Sequence, residues 1–369
     1  MVNVNVRNNG PAVPINRIAN VSGVPISGGS PGNIAPINSM TNLNVEKKPD
    51  LEQVKRCVLI INKIKKEISK AVIGQEGVIN GLLSAVLCNG HVLLEGVPGI
   101  AKTLVIKCLS QVSGCDSKRI QFTVDLLPTD LVGITTYTPG KGFEIVKGPI
   151  FANFIIADEI NRSPPKTQSA LLEAMQEGQV TIGKETFKLP LPFFVMANEN
   201  PLETGGVYPL PEAQVDRFLF KLIMDYPHID AEEKIMEDNM TLKKFEDFNL
   251  KPVTTPEEII LMQKLTLQIY TSKEIKRYIL SIIEMTRTKQ FDLGKYITYG
   301  ASPRASIGLF IASKANALLN GRNFVIPEDV RDVAYSVLRH RLILSYRARS
   351  DGIDSDKVIS AILSRVKAL

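Results

Sequence analysis

The pattern of apolar and polar positions divides the chain into three parts. Residues 1–48 show no sustained period and consist largely of Asn, Pro, Gly, Ser and Val, so we expect a disordered tail. From Leu51 to Ile61 apolar residues recur at helical spacing, with lysines and glutamates between them through Lys70. This spacing predicts a helix that leads into the first folded domain.

Short apolar runs then alternate with amphipathic helical stretches as far as about Tyr226. The runs that predict strands are residues 91–94, 120–123, 154–157 and 193–197. Uninterrupted apolar runs of this length are typical of parallel strands buried on both faces. Their alternation with helices predicts an α/β domain, a parallel sheet between helices, over residues 49–226.

Helical periods dominate the rest of the chain, residues 227–369. Proline suits the first turn of a helix, so the pairs Thr255-Pro256, Ser302-Pro303 and Ile326-Pro327 predict helix starts. This part is therefore expected to be a separate all-α domain.

Composition narrows the class of protein. Hydrophobic residues make up 44% of the chain and charged residues 22%, as in soluble globular proteins. The net charge is +6 and the aromatic content 6%, with basic residues dispersed among acidic ones, which does not favour a nucleic-acid binder. We find no secretory signal and no apolar run of the roughly 18 residues that a membrane span needs, so we expect a cytoplasmic protein without a span.

Cysteine and histidine offer little chemistry. Cys57, Cys88, Cys108 and Cys115 lie at irregular spacings beside apolar residues, which predicts buried free thiols rather than metal ligands or disulfides. With 3 histidines in the chain, a histidine-rich metal site is not available.

A glycine-rich loop joins the first predicted strand to a helix that continues from Leu104. Its sequence is Gly96-Val97-Pro98-Gly99-Ile100-Ala101-Lys102-Thr103. A strand, such a loop, Lys-Thr and a helix form the phosphate cradle of P-loop nucleotidases, where Lys102 would bridge the β- and γ-phosphates and Thr103 would ligate Mg²⁺. Ala101 stands where a glycine is usual, which requires it to have a negative φ. The alternative, a simple turn between strand and helix, does not account for Lys102 and Thr103.

Two carboxylates end the third predicted strand. Asp158 and Glu159 follow the apolar run 154–157, and ligands of parallel sheets bind at this end of the strands. Asp158 would hold Mg²⁺ through water, and Glu159 would polarise the water that attacks the γ-phosphate. The alternative is a solvated acidic strand end.

Asparagines follow the fourth predicted strand, in Asn198-Glu199-Asn200-Pro201. An amide at this tip can hold the attacking water, and we favour Asn200 over Asn198 for that role. Each asparagine taken alone could equally be a turn residue.

With these motifs in this order, the chain resembles the AAA+ ATPases and specifically the MoxR family, of the helix 2 insert clade. Residues 96–103 resemble the family's phosphate loop, 157–162 its Walker B motif and 168–175 the helix that follows. Residues 206–214 and 216–218 are similar to its most specific stretch. The resemblance extends from about Ile73 to the C-terminus.

The resemblance implies further site residues. Arg217 looks like the arginine finger, which reaches the γ-phosphate bound by the neighbouring subunit, and Arg304 looks like the sensor 2 arginine of the lid. Asn200 matches sensor 1, although the family tends to have Ala-Thr-Gln-Asn-Pro where this chain has Ala-Asn-Glu-Asn-Pro. Ile73 and Gly74 lie in the segment that contacts the adenine. Residues 131–148, with a hairpin signal around Pro139 to Gly142, match the helix 2 insert, which would face the pore.

The leading hypothesis is therefore a MoxR-like, Mg²⁺-dependent ATPase that forms a hexameric ring and remodels client proteins as a chaperone. The resemblance implies clients with von Willebrand factor A domains or metal- and cofactor-dependent complexes. One alternative is a nucleic-acid-associated AAA+ motor, since related helicases share this core and insert. Another is a regulatory module that binds nucleotide without hydrolysing it, although Lys102, Glu159 and Arg217 are all present.

Overall fold

The computed structural model describes residues 49–200, 206–238 and 244–367. The predicted disordered tail, residues 1–48, lies outside this part of the chain. Up to residue 226 the elements are α1 (Leu51–Ile68), α2 (Glu76–Leu87), β1 (Val92–Gly96), α3 (Lys102–Val112), β2 (Ser117–Gln121), α4 (Pro128–Val132), β3 (Gly133–Thr138), β4 (Gly142–Lys147), β5 (Phe154–Asp158), α5 (Pro165–Glu177), β6 (Gln179–Ile182), β7 (Glu185–Lys188), β8 (Phe194–Glu199), α6 (Glu212–Val215) and β9 (Phe220–Met224).

From residue 227 the chain is mainly helical. Its elements are α7 (Ile229–Asp238), α8 (Pro256–Gln268), α9 (Lys273–Thr288), β10 (Ile297–Tyr299), α10 (Pro303–Leu319), α11 (Pro327–Leu338), β11 (Ile343–Leu344), α12 (Tyr346–Ser350) and α13 (Ser355–Arg365). The three predicted starts, at Pro256, Pro303 and Pro327, are confirmed. None of the described helices has both the length and the apolar character that crossing a membrane requires.

The central sheet has five parallel strands in the order β2-β5-β8-β1-β9. This confirms the predicted parallel sheet. The last strand, β9, was not predicted; it pairs with β1, and Phe220 lies opposite Val92. Because all five strands are parallel, their carboxyl ends meet at one edge of the sheet, where ligands of such folds bind.

Helices cover both faces of the sheet. Alternate strand residues point to opposite faces, so Leu94 joins one buried cluster with α2 and α3, and Leu93 joins another with α5. The first cluster continues without a break into α8, α9, α10, α11 and α13. The helical part therefore packs directly against the sheet domain.

Two antiparallel hairpins extend from this core. β3 and β4 pair from Gly133 to Lys147, which confirms the hairpin predicted around Pro139 to Gly142. β6 and β7 form a second hairpin that was not predicted. The ammonium of Lys147 lies 4.9 Å from the centre of the Phe151 ring and 5.0 Å from that of Phe187, so it joins the base of the first hairpin to the second.

All four cysteines are free, as predicted. Cys57, Cys108 and Cys115 are buried, and Cys88 is partly buried. Burial raises the pKa of both Cys108 and Cys115 to about 12, so these thiols stay protonated and inert at neutral pH.

His91 is a buried, neutral side chain at the start of β1. Its Nδ1 accepts a hydrogen bond from the backbone N–H of Val195 at 3.1 Å, so Nε2 carries the proton and lies 3.1 Å from the carbonyl oxygen of Met175. Burial, opposed in part by the bond to Met175, lowers the pKa of His91 to about 4. In the unfolded chain its pKa returns to about 6.5.

This difference predicts that acid destabilises the fold. Between pH 7 and pH 5 the unfolded chain takes up a proton at His91 while the folded chain does not, which should lower the free energy of unfolding by about 2 kcal/mol. Urea unfolding at the two pH values measures it. In His91→Asn the amide oxygen can replace Nδ1 as acceptor without titrating, so the loss should shrink by that amount. An unchanged pH dependence in the variant would contradict the assignment.

Candidate functional site

The phosphate loop connects β1 to α3 and depends on two glycines. A Cβ on Gly96 would lie 2.7 Å from both the Ile100 side chain and the carbonyl oxygen of Met224, so only glycine allows this close approach. Gly99 has a φ of 85°, which favours glycine. The ammonium of Lys102 donates to the carbonyl oxygens of Gly96 at 2.5 Å and Glu199 at 3.3 Å, which holds its charge at the carboxyl edge of the sheet.

The expectation for Ala101 is wrong. Ala101 precedes α3 with a φ of 68° and a ψ of 26°, in the left-handed region, and not at the negative φ that its side chain was expected to require. The loop enforces the conformation that a glycine would adopt freely. A Cβ-bearing residue there costs about 1–2 kcal/mol.

Ala101→Gly is therefore expected to stabilise the nucleotide-free protein by about 0.5–1 kcal/mol, since the relief of strain exceeds the entropy that glycine adds to the unfolded chain. Chemical unfolding measures the change. Ala85→Gly, at a buried position within α2, is the control and should destabilise by about 1 kcal/mol. Destabilisation by both substitutions would contradict the strain at Ala101.

Asp158 lies at the centre of the site. It ends β5 with 3% of its surface exposed. The Thr103 hydroxyl lies 3.4 Å from both of its carboxylate oxygens, and the Asn198 amide and the Arg119 guanidinium also donate to them. Mg²⁺ prefers oxygen ligands, and a hydroxyl beside a carboxylate next to the phosphate loop fits that preference. Thr103 and Asp158 are thus brought together, and their role as Mg²⁺ ligands stays a prediction.

Glu159 follows in a strained conformation that its neighbours maintain. Its φ is 56°, which is rare outside glycine, and its backbone N–H donates to the side-chain oxygen of Asn198 at 2.7 Å. One carboxylate oxygen accepts from the Gln121 amide at 2.6 Å and from Arg162 at 3.0 Å. Four groups thus fix where this carboxylate lies: its own backbone turn, Asn198, Gln121 and Arg162.

Arg119 and Gln121 were not identified from the sequence. They lie two residues apart in β2, so they share one face of the strand, and β2 pairs with β5 so that Gln121 is opposite Asp158. The available signal was the pair of alternate polar residues, Arg119 and Gln121, on either side of Ile120 at the start of the predicted strand.

The two asparagines at the end of β8, Asn198 within the strand and Asn200 directly after it, differ in their contacts. Asn198 is buried and its amide binds both Asp158 and the backbone of Glu159, so it fixes the acidic pair. Asn200 is also buried, at 7% exposure. Its assignment as the sensor stays a prediction.

A cavity of about 420 Å³ opens beside the phosphate loop. Predicted residues line it: Ile73, Pro98, Gly99, Ile100, Ala101 and Leu104. Gly74 lies behind this wall, because a Cβ there would be 3.3 Å from Pro227, which also lines the cavity. Tyr226 and Phe248 also line it and were not predicted, and Gln75 and Glu232 add polar groups to a lining that is otherwise mainly apolar. An apolar and aromatic wall next to a phosphate cradle suits a purine base.

Arg217 and Arg304 lie elsewhere. Both line a different cavity of about 250 Å³, together with Asp216 and Arg341. Arg217 comes shortly before Phe220, which pairs with Val92 at the start of β1, whereas the phosphate loop follows the end of β1. A strand of 5 residues is about 16 Å long. Arg217 therefore lies near the amino ends of the parallel strands, and its own phosphate loop lies at their carboxyl ends.

Two family models match the chain. Residues 91–220 match the ATPase family associated with various cellular activities (AAA). Residues 293–362 match the AAA lid domain. These ranges lie within the predicted core, 49–226, and lid, 227–369, whose limits stay predictions.

Known proteins resemble the chain over most of its length. It is similar to Chaperone MoxR1 of Mycobacterium tuberculosis, with 43% identity over 305 residues that cover 81% of this chain and 80% of the relative. It is also similar to Uncharacterized protein YeaC of Bacillus subtilis, with 43% identity over 309 residues that cover 84% and 94%. A crystal structure from Cytophaga hutchinsonii, assigned as an ATPase, superposes with a TM-score of 0.80 at 43% identity and covers 86% of this chain and 97% of that chain.

Proposed function

We propose that this chain, which belongs to the MoxR family of AAA+ ATPases, hydrolyses ATP with Mg²⁺ at the interfaces between its own subunits and uses the reaction to remodel other proteins. One observation carries the proposal. The side chains that can bind and hydrolyse ATP, those of Lys102, Thr103 and the two carboxylates, converge at the carboxyl ends of the parallel strands. Arg217 and Arg304 lie together near the opposite, amino ends of the strands.

Lys102 and the amides of the phosphate loop bind the triphosphate. The N-terminus of α3 adds positive potential there, and Lys102 neutralises charge on the β- and γ-phosphates. Thr103 and Asp158 would hold Mg²⁺, which supplies further neutralisation of the phosphates when bound. The apolar cavity beside the loop takes the base.

Glu159 acts as the base that polarises the attacking water. Asn198, Gln121 and Arg162 determine where its carboxylate lies, so the residue is positioned before the nucleotide arrives. Asn200, at the same edge of the sheet, is proposed to hold the water against the γ-phosphate.

Arg217 completes the site of the neighbouring subunit. Since it lies about one strand length from its own phosphate loop, a second copy must present it to a γ-phosphate. Arg304 shares the same cavity, so we assign it to the same face. Head-to-tail contacts between identical subunits generate a ring when the rotation from one subunit to the next closes, and we propose a closed hexamer.

The β3–β4 hairpin is proposed to contact client proteins in the pore. Near its tip the rings of Tyr137 and Phe143 lie 5.3 Å apart, with 65% and 79% of the residues exposed. Exposed aromatic pairs on a projecting hairpin suit contact with another polypeptide. One relative is named a chaperone, and we propose that role here, on clients with von Willebrand factor A domains or on metal- and cofactor-dependent complexes.

Steady-state ATP hydrolysis by the full chain tests the proposal. Phosphate release should require Mg²⁺, stop with a chelator, and be lost in Lys102→Ala. Lys107→Ala, one turn further along α3, is the matched control and should retain activity. Equal activity in both variants, or none in the unmodified protein at any concentration, would contradict it.

A further inference from the structure

We infer that a buried contact between the helical lid and the sheet domain positions both arginines that the chain presents to its neighbour. The contact, which we call the clasp, consists of Asp216, Ser302 and Arg341. This inference rests on the proposed function, in which Arg217 and Arg304 act on the nucleotide of the adjacent subunit.

Arg341 is the centre of the clasp. Its side chain is 3% exposed, and its Nε donates to the Asp216 carboxylate at 2.7 Å. The two terminal nitrogens donate to backbone carbonyl oxygens of Asp216 at 3.2 Å, Phe218 at 2.7 Å and Leu219 at 3.0 Å, and to that of Val337 at 2.5 Å. One side chain of the lid therefore holds the backbone on both sides of Arg217.

Asp216 also connects to the helix that carries Arg304. Ser302 is the residue before α10, where a serine hydroxyl usually accepts a hydrogen bond from its own helix. Here it makes no such bond and instead donates to the two Asp216 carboxylate oxygens, at 3.0 and 3.3 Å. The carboxylate lies at the N-terminus of α10, where the helix dipole favours negative charge.

The clasp thus fixes two functional arginines through their neighbours in sequence. Arg217 directly follows Asp216, and Arg304 is two residues after Ser302. A buried ion pair gains little net stability over apolar packing, but loss of one partner leaves a buried charge uncompensated. A side chain that binds four carbonyl oxygens and a carboxylate defines one geometry, which suits a part that must place two guanidinium groups together.

An adjacent ion pair provides a control. Arg339, two residues before Arg341, forms a two-pronged pair with Asp356 at 3.0 and 2.8 Å, and it donates to the carbonyl oxygen of Lys221 within β9. Asp356→Asn breaks this pair with the same chemical change as Asp216→Asn, but without touching the segment that carries Arg217.

Mixed assemblies of full-length chains separate positioning from general destabilisation. Lys102→Ala subunits lack a working phosphate loop but supply Arg217, and Arg217→Ala subunits have the reverse defect. Mixing them should restore ATP hydrolysis at interfaces where the intact halves meet. Asp216→Asn is then added to one kind of subunit at a time.

In the Lys102→Ala subunits, which supply the arginines, Asp216→Asn should lower the restored rate on the order of 10- to 100-fold, the effect of misplacing a reacting group by about 1 Å. In the Arg217→Ala subunits it should leave the rate within about twofold. Ser302→Ala keeps the ion pair between Arg341 and Asp216, so it should lower the restored rate only a few-fold, and again only in the Lys102→Ala subunits. This variant provides the test even if Asp216→Asn folds poorly. Asp356→Asn should show no asymmetry.

Equal effects of Asp216→Asn and of Ser302→Ala in the two arrangements would overturn the clasp as a positioning device. Absence of recovery in the parent mixture, before any clasp substitution, would overturn the assignment of Arg217 to the neighbouring site and the clasp with it. The two failures are thereby distinguished.

Discussion

Arg217→Ala is expected to lower the kcat of ATP hydrolysis about 10³- to 10⁵-fold, the range found when a phosphoryl-transfer site loses an arginine supplied by a partner. The affinity of an isolated subunit for ATP should not change, because Arg217 lies near the amino ends of the strands and its own phosphate loop lies at their carboxyl ends. Steady-state phosphate release and equilibrium binding of a fluorescent ATP analogue measure the two quantities.

The matched control is Arg277→Ala, which removes an exposed arginine from α9 and should leave kcat unchanged. A loss below tenfold in Arg217→Ala would contradict the role of this residue. A loss of ATP affinity in dilute, dissociated subunits would show that Arg217 acts within its own chain.

Glu159→Gln is expected to lower kcat about 10²- to 10⁴-fold, the contribution typical of a general base. The amide has nearly the shape of the carboxylate and keeps an oxygen that can accept from Gln121 and Arg162, but it cannot take up the proton of water. ATP binding and assembly should persist, since Lys102, Thr103 and Asp158 are untouched.

Single-turnover hydrolysis measures the chemical step directly. Glu173→Gln, at an exposed position on α5, controls for loss of a negative charge. If Glu159→Gln cleaves ATP at the unmodified rate while Glu173→Gln does the same, another group is the base.

The central strands could be predicted because they are buried on both faces. In β5 all five positions are buried, so the apolar run itself marks the strand. At the edge of the sheet, β2 has one buried position among exposed ones, and its predicted range, 120–123, falls three residues late. The other edge strand, β9, alternates buried and partly exposed positions and was missed. Edge strands carry a weaker signal because one face contacts solvent or polar groups.

The site shows a similar division. Lys102, Thr103, Asp158 and Glu159 follow strands within a few residues, so local sequence identifies them, and the structure brings them together. Arg119, Gln121 and Asn198 act by reaching across from neighbouring strands, which depends on strand order and register. The left-handed conformation of Ala101 is imposed by the path of the loop between β1 and α3. The residue type alone does not determine that path.

The sequence also did not predict that Arg217 and Arg304 line one cavity. The two arginines are far apart in sequence, and their motifs do not indicate that both lie on the same side of the molecule. Their separation from Lys102 is the observation on which the proposed need for a second subunit rests.

Light scattering of the Glu159→Gln chain with saturating Mg²⁺ and ATP tests this requirement most directly. We expect the protein to bind ATP and to have the molar mass of several chains, six in the proposed hexamer. A protein that binds ATP yet keeps the mass of one chain, while the unmodified protein hydrolyses ATP as a monomer, would contradict it.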